Sequence, residues 1–372
     1  MKKKLLMIIF LIVILFMNGC FSYRDMNRLF FTTMGVFDIN DEGDVVIYGE
    51  LFTTSRSETE KGGVETKVIL KGTGKTVLEA FYDYQSSSTF PVAYDVNKVL
   101  VYSEKVARHG LDDYIDSPSR NQKPTIKEFM FVSKEDPEEI LNLQLTEEQF
   151  IGNFLDNMMI FQGNMPDIEP IRLNEFLNNR LMGSEVNLIP LISICEDNPQ
   201  PRLSVHGAAV MINDKMVDEL TPEEVTTYKF LMGTIKTASF DIDNPEEEGA
   251  MVALDNLSTK TKREVTIHDG KVYVDFTIKS IVTFEEAQQE ITLLDENIRK
   301  KVEELAKKFI EEKCEVLFKK FQAKNIDLFN IETDIYKKYP NETIPNYLQN
   351  LEVSIKVDIE LEGSQNTSNS YK

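Results

Sequence analysis

The feature that most constrains the fold of this 372-residue chain is a strict alternation of apolar and polar residues near its end. The apolar members of the alternation are Leu351, Val353, Ile355, Val357, Ile359 and Leu361. A period of two places successive side chains on opposite faces of a β-strand. We therefore predict a terminal strand with one buried face, and we expect that face to pack on a long helix that precedes it in the sequence.

The residues before this strand indicate a hairpin and that long helix. Apolar and polar residues alternate from Val272 to Ile278, and Asp269-Gly270 supplies a tight turn from the preceding strand. Residues 285–324 predict one amphipathic helix, because apolar residues recur at spacings of three and four. The apolar stripe predicted for this helix is Ile291, Leu294, Ile298, Val302, Leu305, Phe309, Val316 and Phe321.

The first part of the chain mixes strands and helices. Residues 29–36 and 45–52 predict a β-hairpin. Further strands are predicted at 68–70, 98–102, 126–132, 186–195 and 206–212, and a helix at 171–182. Helix starts are indicated by polar side chains that accept hydrogen bonds from the first backbone amides. The predicted capping residues are Thr76, Ser103, Asp136, Thr146 and Thr221. The helix from Ser103 is predicted to end in a left-handed cap at Gly110.

These elements predict an α+β, multidomain protein whose mixed and antiparallel sheets are covered by helices. With 42% hydrophobic and 28% charged residues, the chain is long enough for two or three globular domains. Residues 196–201 are polar and contain two prolines, which indicates a hinge. We place an N-terminal domain at 20–195, open to division into two subdomains. A C-terminal domain at 203–363 and a disordered tail at 364–372 follow.

The amino terminus has the pattern of a secretory signal peptide, predicted at residues 1–19. Three lysines, Lys2 to Lys4, precede an apolar run from Leu5 to Met17, and a glycine stands before Cys20. A cysteine at the cleavage position indicates a bacterial lipoprotein signal, in which Cys20 receives a diacylglycerol and becomes the new amino terminus. A retained membrane span is disfavoured, because the apolar run makes about 20 Å of helix against a roughly 30 Å hydrocarbon core.

The negative charge of the chain limits the classes of partner that it can bind. The sequence has 62 acidic and 41 basic side chains, a net charge of −21, and removal of the three signal lysines makes the chain more negative. This charge disfavours nucleic acid as a partner and repels the protein body from an anionic lipid surface. We expect the protein to work outside the cytoplasm, held at the membrane by its lipid.

Candidate catalytic and ligating residues are few. His109, His206 and His268 stand in different predicted elements without a metal-binding pair, so we predict no catalytic residue and no metal site. Cys195 and Cys314 also lack metal-ligand spacing. These two cysteines either pair with each other or, as we favour, remain free thiols that behave as small apolar side chains.

Two further patterns imitate catalytic or nucleotide-binding motifs. Gly74-Lys75-Thr76 resembles the end of a phosphate-binding loop, but Ile69 stands where that motif requires its first glycine. We therefore predict no nucleotide and no other cofactor. Acidic pairs supply the residue type of a glycosidase site, but in a chain this acidic they are usually solvated. The pairs are Asp112-Asp113 and Glu147-Glu148.

A series of short motifs runs through the whole mature chain. It comprises residues 72–76, Glu79-Ala80, residues 98–104, Ala107-Arg108, Gly110-Leu111 and Phe321-Gln322, with Gly35, Asp38, Asp116, Arg120, Asp327 and Gly363. Together these motifs resemble the Ger(x)C family, the lipoprotein C subunits of spore germinant receptors in spore-forming Firmicutes. The chain departs from the family in having no Trp, and Tyr347 stands where a Trp commonly precedes the last strand.

The resemblance implies a lipid-anchored, non-enzymatic subunit of a nutrient germinant receptor, needed for receptor assembly or signalling in spore germination. It implies A-type and B-type integral membrane subunits as partners and the inner spore membrane as the location. Whether the chain itself contacts a nutrient stays open. The alternatives are a solute-binding lipoprotein, for which two lobes of alternating βα units are expected, and a lipoprotein that acts on the cell wall.

Overall fold

The computed structural model describes residues 28–55, 64–115, 126–181, 186–195, 200–342 and 344–362. Within these residues the chain forms two mixed β-sheets covered by helices, which confirms the predicted α+β class. Several predictions fall outside the described residues. They are the signal segment 1–19, the lipidation site Cys20, the motif residues Asp116, Arg120 and Gly363, and the tail 364–372.

The first sheet contains the predicted N-terminal hairpin. In chain order its strands are β1 (Phe30–Ile39), β2 (Val45–Ser55), β3 (Val64–Gly74), β4 (Val92–Ala93), β5 (Val99–Ser103), β6 (Phe129–Ser133), β7 (Val186–Cys195), β8 (Arg202–Ile212) and β9 (Lys215–Leu220). Their order across the sheet is β3-β2-β1-β5-β6-β7-β8-β9, with β4 also paired to β1. The three central pairs, β1-β5, β5-β6 and β6-β7, are parallel. The outer pairs, β3-β2, β2-β1, β7-β8 and β8-β9, are antiparallel.

Helices cover both faces of the first sheet. They are α1 (Val77–Ser86), α2 (Glu104–His109), α3 (Pro137–Asn142), α4 (Ile151–Gln162) and α5 (Leu173–Leu181). Helices α1, α2 and α5 pack on one face, in a core that includes Phe37, Tyr102 and Phe176. Helices α3 and α4 pack on the opposite face around Phe131 and Leu155. The first sheet is therefore the central layer of a three-layer unit.

The second sheet follows in the C-terminal half. Its strands are β10 (Ala238–Asp243), β11 (Met251–His268), β12 (Lys271–Ala287) and β13 (Glu352–Glu362), and the helices of this half are α6 (Pro222–Met232), α7 (Glu296–Ala323) and α8 (Ile331–Lys338). Strands β10 to β12 are antiparallel neighbours, and β13 joins β12 in parallel. The second core also contains Ala208 and Val210 of β8, so it is continuous with one end of the first sheet.

The predicted hairpin of the C-terminal half is confirmed. Asp269 and Gly270 have positive φ angles of 51° and 74°, as a tight turn between two antiparallel strands requires. The strands on either side are much longer than the alternation suggested, because β12 stays paired with β11 as far as Ala287.

The predicted long helix is present, but the start predicted for it is wrong. It begins at Glu296, where Asp295 accepts a hydrogen bond from the Asn297 backbone amide, because residues up to Ala287 belong to β12. Two positions of the predicted apolar stripe are exposed, Leu294 at 81% and Val316 at 68%. The side chains that are buried are Val302, Ala306, Ile310, Cys314, Leu317, Phe318 and Phe321.

The terminal strand is confirmed, together with its contact to the long helix. Five of the six predicted apolar side chains are buried, and Val353 is half-buried. Helix α7 also contacts the free edge of β13, where Glu311 accepts from the Val357 amide at 2.9 Å and Glu303 accepts from the Leu361 amide at 3.0 Å. Two backbone amides that no described neighbouring strand pairs at this edge therefore have a partner within the chain.

The predicted division of the chain falls between two neighbours of one sheet. Strand β7 ends at Cys195, β8 begins at Arg202, and the two are antiparallel partners over most of their length. Residues 196–199 of the predicted hinge lie outside the described residues. Since sheet pairing continues across this position, the hinge and the separate domains at 20–195 and 203–363 stay predictions.

The predicted helix caps differ in their outcome. Thr221 forms the full capping box with Glu224, and Ser103 and Asp136 cap their helices. Thr76 accepts from the Glu79 amide as predicted, although the Glu79 carboxylate accepts from Lys75 instead of Thr76.

Two other cap predictions are wrong. Thr146 donates to Glu147, and the helix begins only at Ile151, because a carboxylate from β2 caps it. Gly110 has a φ of 134° and a ψ of 141°, which is not the left-handed helical cap predicted for it. Its peptide turns into an extended conformation that only glycine adopts readily.

Candidate functional site

The structure keeps the three histidines apart. His109 ends α2, His206 lies in β8 and His268 ends β11, and all three are exposed. His268 contacts the neighbouring Asp269 at 2.9 Å, and His206 lies 3.3 Å from the Ser204 hydroxyl. Within the described ranges, no group of three or more potential ligating side chains comes together.

The two cysteines have structural positions and do not form a disulfide. Cys195 is half-buried at the end of β7, and Cys314 is buried in α7. Burial raises the pKa of the Cys314 thiol, so it stays protonated and unreactive. The prediction that these two cysteines do not pair with each other is therefore confirmed.

The acidic pairs do not form a glycosidase site. Glu147 accepts a hydrogen bond from Thr146 and pairs with Arg202, and these contacts lower the pKa of its carboxyl. A glycosidase general acid requires a raised pKa. Asp112 and Asp113 are exposed in the turn after α2.

The glycine-rich segment has a packing role. An added Cβ would lie 2.3 Å from the Ala80 carbonyl at Gly72 and 2.5 Å from the Ala80 amide at Gly74. At Gly49, a Cβ would lie 2.0 Å from the Tyr84 hydroxyl. Gly72 and Gly74 therefore let the backbone of α1 lie directly on β3, and Gly49 leaves room for the Tyr84 ring on β2.

A cavity of about 270 Å³ lies between the first sheet and α1. Its lining side chains are mostly aromatic or aliphatic. Phe37 stacks on Tyr102 with 5.4 Å between ring centroids, and Tyr114 meets Phe37 edge-on at a centroid distance of 5.8 Å. At the mouth, Leu78 and Tyr82 of α1 are 47% and 66% exposed, so the cavity has access to solvent.

Four buried oxygens, on residues that line this cavity, have no hydrogen bond partner in the part of the chain that the structure describes. They are Thr32 Oγ1, Tyr84 OH, Asn97 Oδ1 and Tyr102 OH. All four residues are at least nine-tenths buried. A buried polar group that lacks a partner costs about 1–3 kcal/mol, so four in one cavity are unusual for a site of packing alone.

The surroundings fix the protonation and orientation of these groups. Burial raises the pKa of Tyr102, and the nearby Glu128 carboxylate raises it further, so the phenol stays protonated. Burial and Tyr94 raise the pKa of Tyr84. The nearby Thr32 hydroxyl lowers it, although the two hydroxyl groups do not form a hydrogen bond of normal geometry.

Asn97 has one of its amide atoms already committed. Its Nδ2 donates to the Val99 carbonyl at 3.2 Å, and its Oδ1 is an acceptor that has no partner in the described ranges. The hydroxyl groups of Thr32, Tyr84 and Tyr102 are able to donate as well as accept. The cavity therefore presents both kinds of hydrogen-bonding group to an occupant.

Sequence reasoning also missed a buried carboxylate on the opposite face of the first sheet. Glu50 is fully buried, and it accepts from the Thr33 hydroxyl at 2.7 Å and from the Ile151 and Gly152 amides at 2.8 and 2.9 Å. Lys67 lies 2.8 Å from the same carboxylate. Glu50 thus caps α4 from a neighbouring strand, and a lone charge within the apolar run 45–52 is the signal that indicates it.

A buried lysine joins the two halves of the chain. Lys229 of α6 donates to the carbonyls of Met165 and Ile168 at 2.9 and 2.8 Å, and it lies 3.8 Å from the Glu169 carboxylate. Burial lowers the pKa of Lys229 and raises the pKa of Glu169. These contacts fix α6 against the segment that follows α4.

In the described ranges, no helix combines the length and the apolar character needed to cross a bilayer. The apolar run 5–17 lies outside these ranges.

Comparison with known proteins gives two family matches. Residues 22–194 match the family described as spore germination protein N-terminal domain, and residues 206–365 match the family described as spore germination B3/GerAC like, C-terminal. The two matches follow one another along most of the chain.

Individual relatives and a solved structure agree with these matches. The chain is 22% identical to spore germination protein GerQC of Bacillus cereus over 86% of this chain and 87% of the relative. It is 19% identical to spore germination protein KC of Bacillus subtilis (strain 168) over 92% and 89%. The crystal structure of the GerBC protein has the same fold, with a TM-score of 0.57 and 14% identity, over 88% of this chain and 96% of that chain.

Proposed function

Because this chain belongs to the Ger(x)C family of spore germination proteins, the C subunits of germinant receptors, we propose that it is a lipid-anchored, non-enzymatic subunit of a nutrient germinant receptor. The observation that carries the proposal is the presence of both family domains, in order, at residues 22–194 and 206–365. Its role is receptor assembly or signalling in spore germination.

The anchor we propose is a diacylglycerol on Cys20. Its support is the sequence of a basic region, an apolar core and Gly19 directly before the cysteine. Two or more acyl chains hold a protein stably at a bilayer, whereas a single chain binds only reversibly. The protein body then lies outside the cytoplasm, at the inner spore membrane.

The non-enzymatic role is supported by the positions of the candidate catalytic groups. The three histidines are exposed in separate elements, and the thiol of Cys314 is buried. Nucleophilic or acid–base catalysis requires such groups to lie within hydrogen-bond reach of each other. We propose that the partners are the A-type and B-type integral membrane subunits of the receptor.

Fatty-acid labelling tests the anchor. Cells that produce the full-length chain are fed a fatty-acid analogue, and the wild type is compared with Cys20→Ala and with Cys195→Ala as the matched control. We expect label in the wild type and in Cys195→Ala only. Equal labelling of Cys20→Ala would refute the anchor.

Deletion and capture test the receptor role. Deletion of the gene is expected to remove one nutrient response, while germination by agents that bypass nutrient receptors persists. The solubilised wild-type chain is expected to capture the A-type and B-type subunits. A single Asp or Glu substitution that abolishes function with normal abundance, location and partner capture would point to catalysis instead.

A further inference from the structure

We propose that the cavity between the first sheet and α1 is a binding site for a neutral small molecule of about one substituted ring, carrying both a hydrogen-bond donor and an acceptor. This inference concerns a property of the isolated chain and does not rest on the receptor role. The cavity volume of about 270 Å³ lies just below the usual range of ligand pockets, which suits an occupant of this size.

The first argument is the set of buried polar atoms that the fold leaves without partners. Tyr102 and Tyr84 are almost completely buried, and their hydroxyl groups have no hydrogen bond partner in the described ranges. Native chains satisfy nearly all such groups, with protein atoms or with ordered water, which an occupant of the cavity can replace. An occupant that accepts from a tyrosine and donates to Asn97 Oδ1 satisfies them, whereas a saturated acyl chain satisfies none.

The second argument is a glycine that helix packing does not require. At Gly35 of β1, an added Cβ would meet only Leu100 Cδ2, at an ordinary contact distance of 3.5 Å. Its φ is also not in the left-handed region, so other residues fit the backbone. The three glycines under α1 are required by close contacts, but the missing side chain at Gly35 leaves part of the cavity empty.

The third argument concerns charge. Among the residues described around the cavity, none that lines it is acidic, basic or a histidine. A buried ligand charge would therefore have no opposite charge in contact with it. The carboxylates of Asp113 and Asp38, which lie near Tyr114, add repulsion against an anion. A free amino acid, which carries both charges, does not match this lining.

Binding is tested with benzamide, which is neutral and carries both an amide donor and a carbonyl acceptor. The dissociation constant for the purified full-length chain is measured by ligand-observed NMR titration. Benzoate, benzyltrimethylammonium and toluene are compared under the same conditions. We expect benzamide to bind about tenfold more tightly than each of them, because toluene lacks hydrogen-bonding groups and the two ions lack a counter-charge.

Variants locate the binding. Gly35→Val fills the cavity and is expected to weaken benzamide binding at least tenfold, with Gly35→Ala as a smaller change if the valine variant does not fold. Tyr102→Phe removes one hydroxyl group and is expected to weaken binding about fivefold. Tyr228→Phe is the matched control, since Tyr228 is a tyrosine of the second core that stacks on Phe329; its affinity is expected to equal that of the wild type.

The contrary results are equally specific. No binding of benzamide by the wild type at millimolar concentration would overturn the proposal. Equal affinity in the folded Gly35 variants would place the molecule elsewhere, and equal affinity for either ion would overturn the neutral class. Each result is read on the isolated chain, so it is independent of the germination phenotypes that test the receptor role.

Discussion

Two helices lie on two sheets in this molecule, and the contacts beneath them differ. Under α1, close approach is achieved with Gly49, Gly72 and Gly74, and a cavity remains beside the contact. Under α7, large side chains fill the space: Phe318 stacks on Phe329 at 5.2 Å and meets Phe276 edge-on at 6.1 Å. The first arrangement brings backbones together, and the second brings side chains together.

The difference extends to buried polar atoms. In the first core, four buried oxygens without partners in the described ranges belong to residues that line one cavity. In the second core, Asn256 and Asp327 each have one atom without a partner in the described ranges, but Asn256 Oδ1 accepts from Thr259, and Asp327 Oδ2 accepts from Tyr347. The comparison indicates that the second core is built for stability and that the first core leaves space for an occupant.

The largest expected effect comes from removal of β13. A stop after Asn350 deletes five buried apolar side chains, worth together up to about 8–15 kcal/mol against a typical domain stability of about 5–15 kcal/mol. We expect this product not to fold and the nutrient response to be lost. A stop after Gly363 is the control and is expected to change neither. Cooperative melting of the shorter product would show that β13 is not essential to the second core.

A single truncation in the second core is expected to have the next largest effect. Phe318→Ala removes a fully buried ring and should lower the free energy of unfolding by about 3–5 kcal/mol. Tyr82→Ala removes a ring that is 66% exposed at the cavity mouth. This change should alter the free energy of unfolding by less than about 0.5 kcal/mol. Urea unfolding measures both. Similar losses in the two variants would remove the contrast between the cores.

Two glycine substitutions sharpen the account of the first core. Gly72→Ala places a methyl group 2.3 Å from backbone atoms of α1 and should cost about 1–3 kcal/mol, because the helix must shift. Gly35→Ala meets no close neighbour and should be neutral or stabilising by up to about 1 kcal/mol. Thermal unfolding at one pH compares them. A large loss at Gly35 would mean that the cavity space is needed for packing.

The smallest effect concerns alkaline pH. The pKa of Tyr102 is raised in the folded chain above its unfolded value of about 10, so its contribution to stability is full below pH 10 and is lost as the pH rises further. Tyr102→Phe should therefore lose about 1 kcal/mol less than the wild type between pH 10 and 11, because the unfolded phenol is already half ionised at pH 10. Urea unfolding at both pH values measures this. Equal losses would mean that Tyr102 ionises freely in the folded chain.

Local sequence patterns predicted the second half well where each pattern had one explanation. The alternation in 351–361 and the turn at Asp269-Gly270 are determined by neighbouring residues, and both are confirmed. The predicted start of α7 was wrong because residues 285–287 belong to β12, which pairs with β11, and this pairing joins residues that are distant in sequence. Val316 was assigned to the buried stripe because its spacing fits, but the position of the sheet decides which side of the helix is covered.

The candidate site was beyond the reach of such patterns. The cavity collects Thr32, Tyr84, Asn97 and Tyr102 from separate elements, and no spacing rule relates them. Gly35 was noticed as a motif residue, but a sequence does not distinguish a glycine that permits contact from one that leaves space. The cap at Ile151 was missed for the same reason, because Glu50 reaches it from a strand about 100 residues earlier.

The most direct measurement is a crystal structure of the full-length chain grown with benzamide. We expect density for the ligand between Phe37, Tyr102 and α1, within hydrogen-bond distance of a tyrosine hydroxyl and of Asn97 Oδ1. We expect the second core to be closed in the same crystal. A cavity filled by Leu78 or Tyr82, or by water alone at saturating benzamide, would contradict the distinction between the two cores.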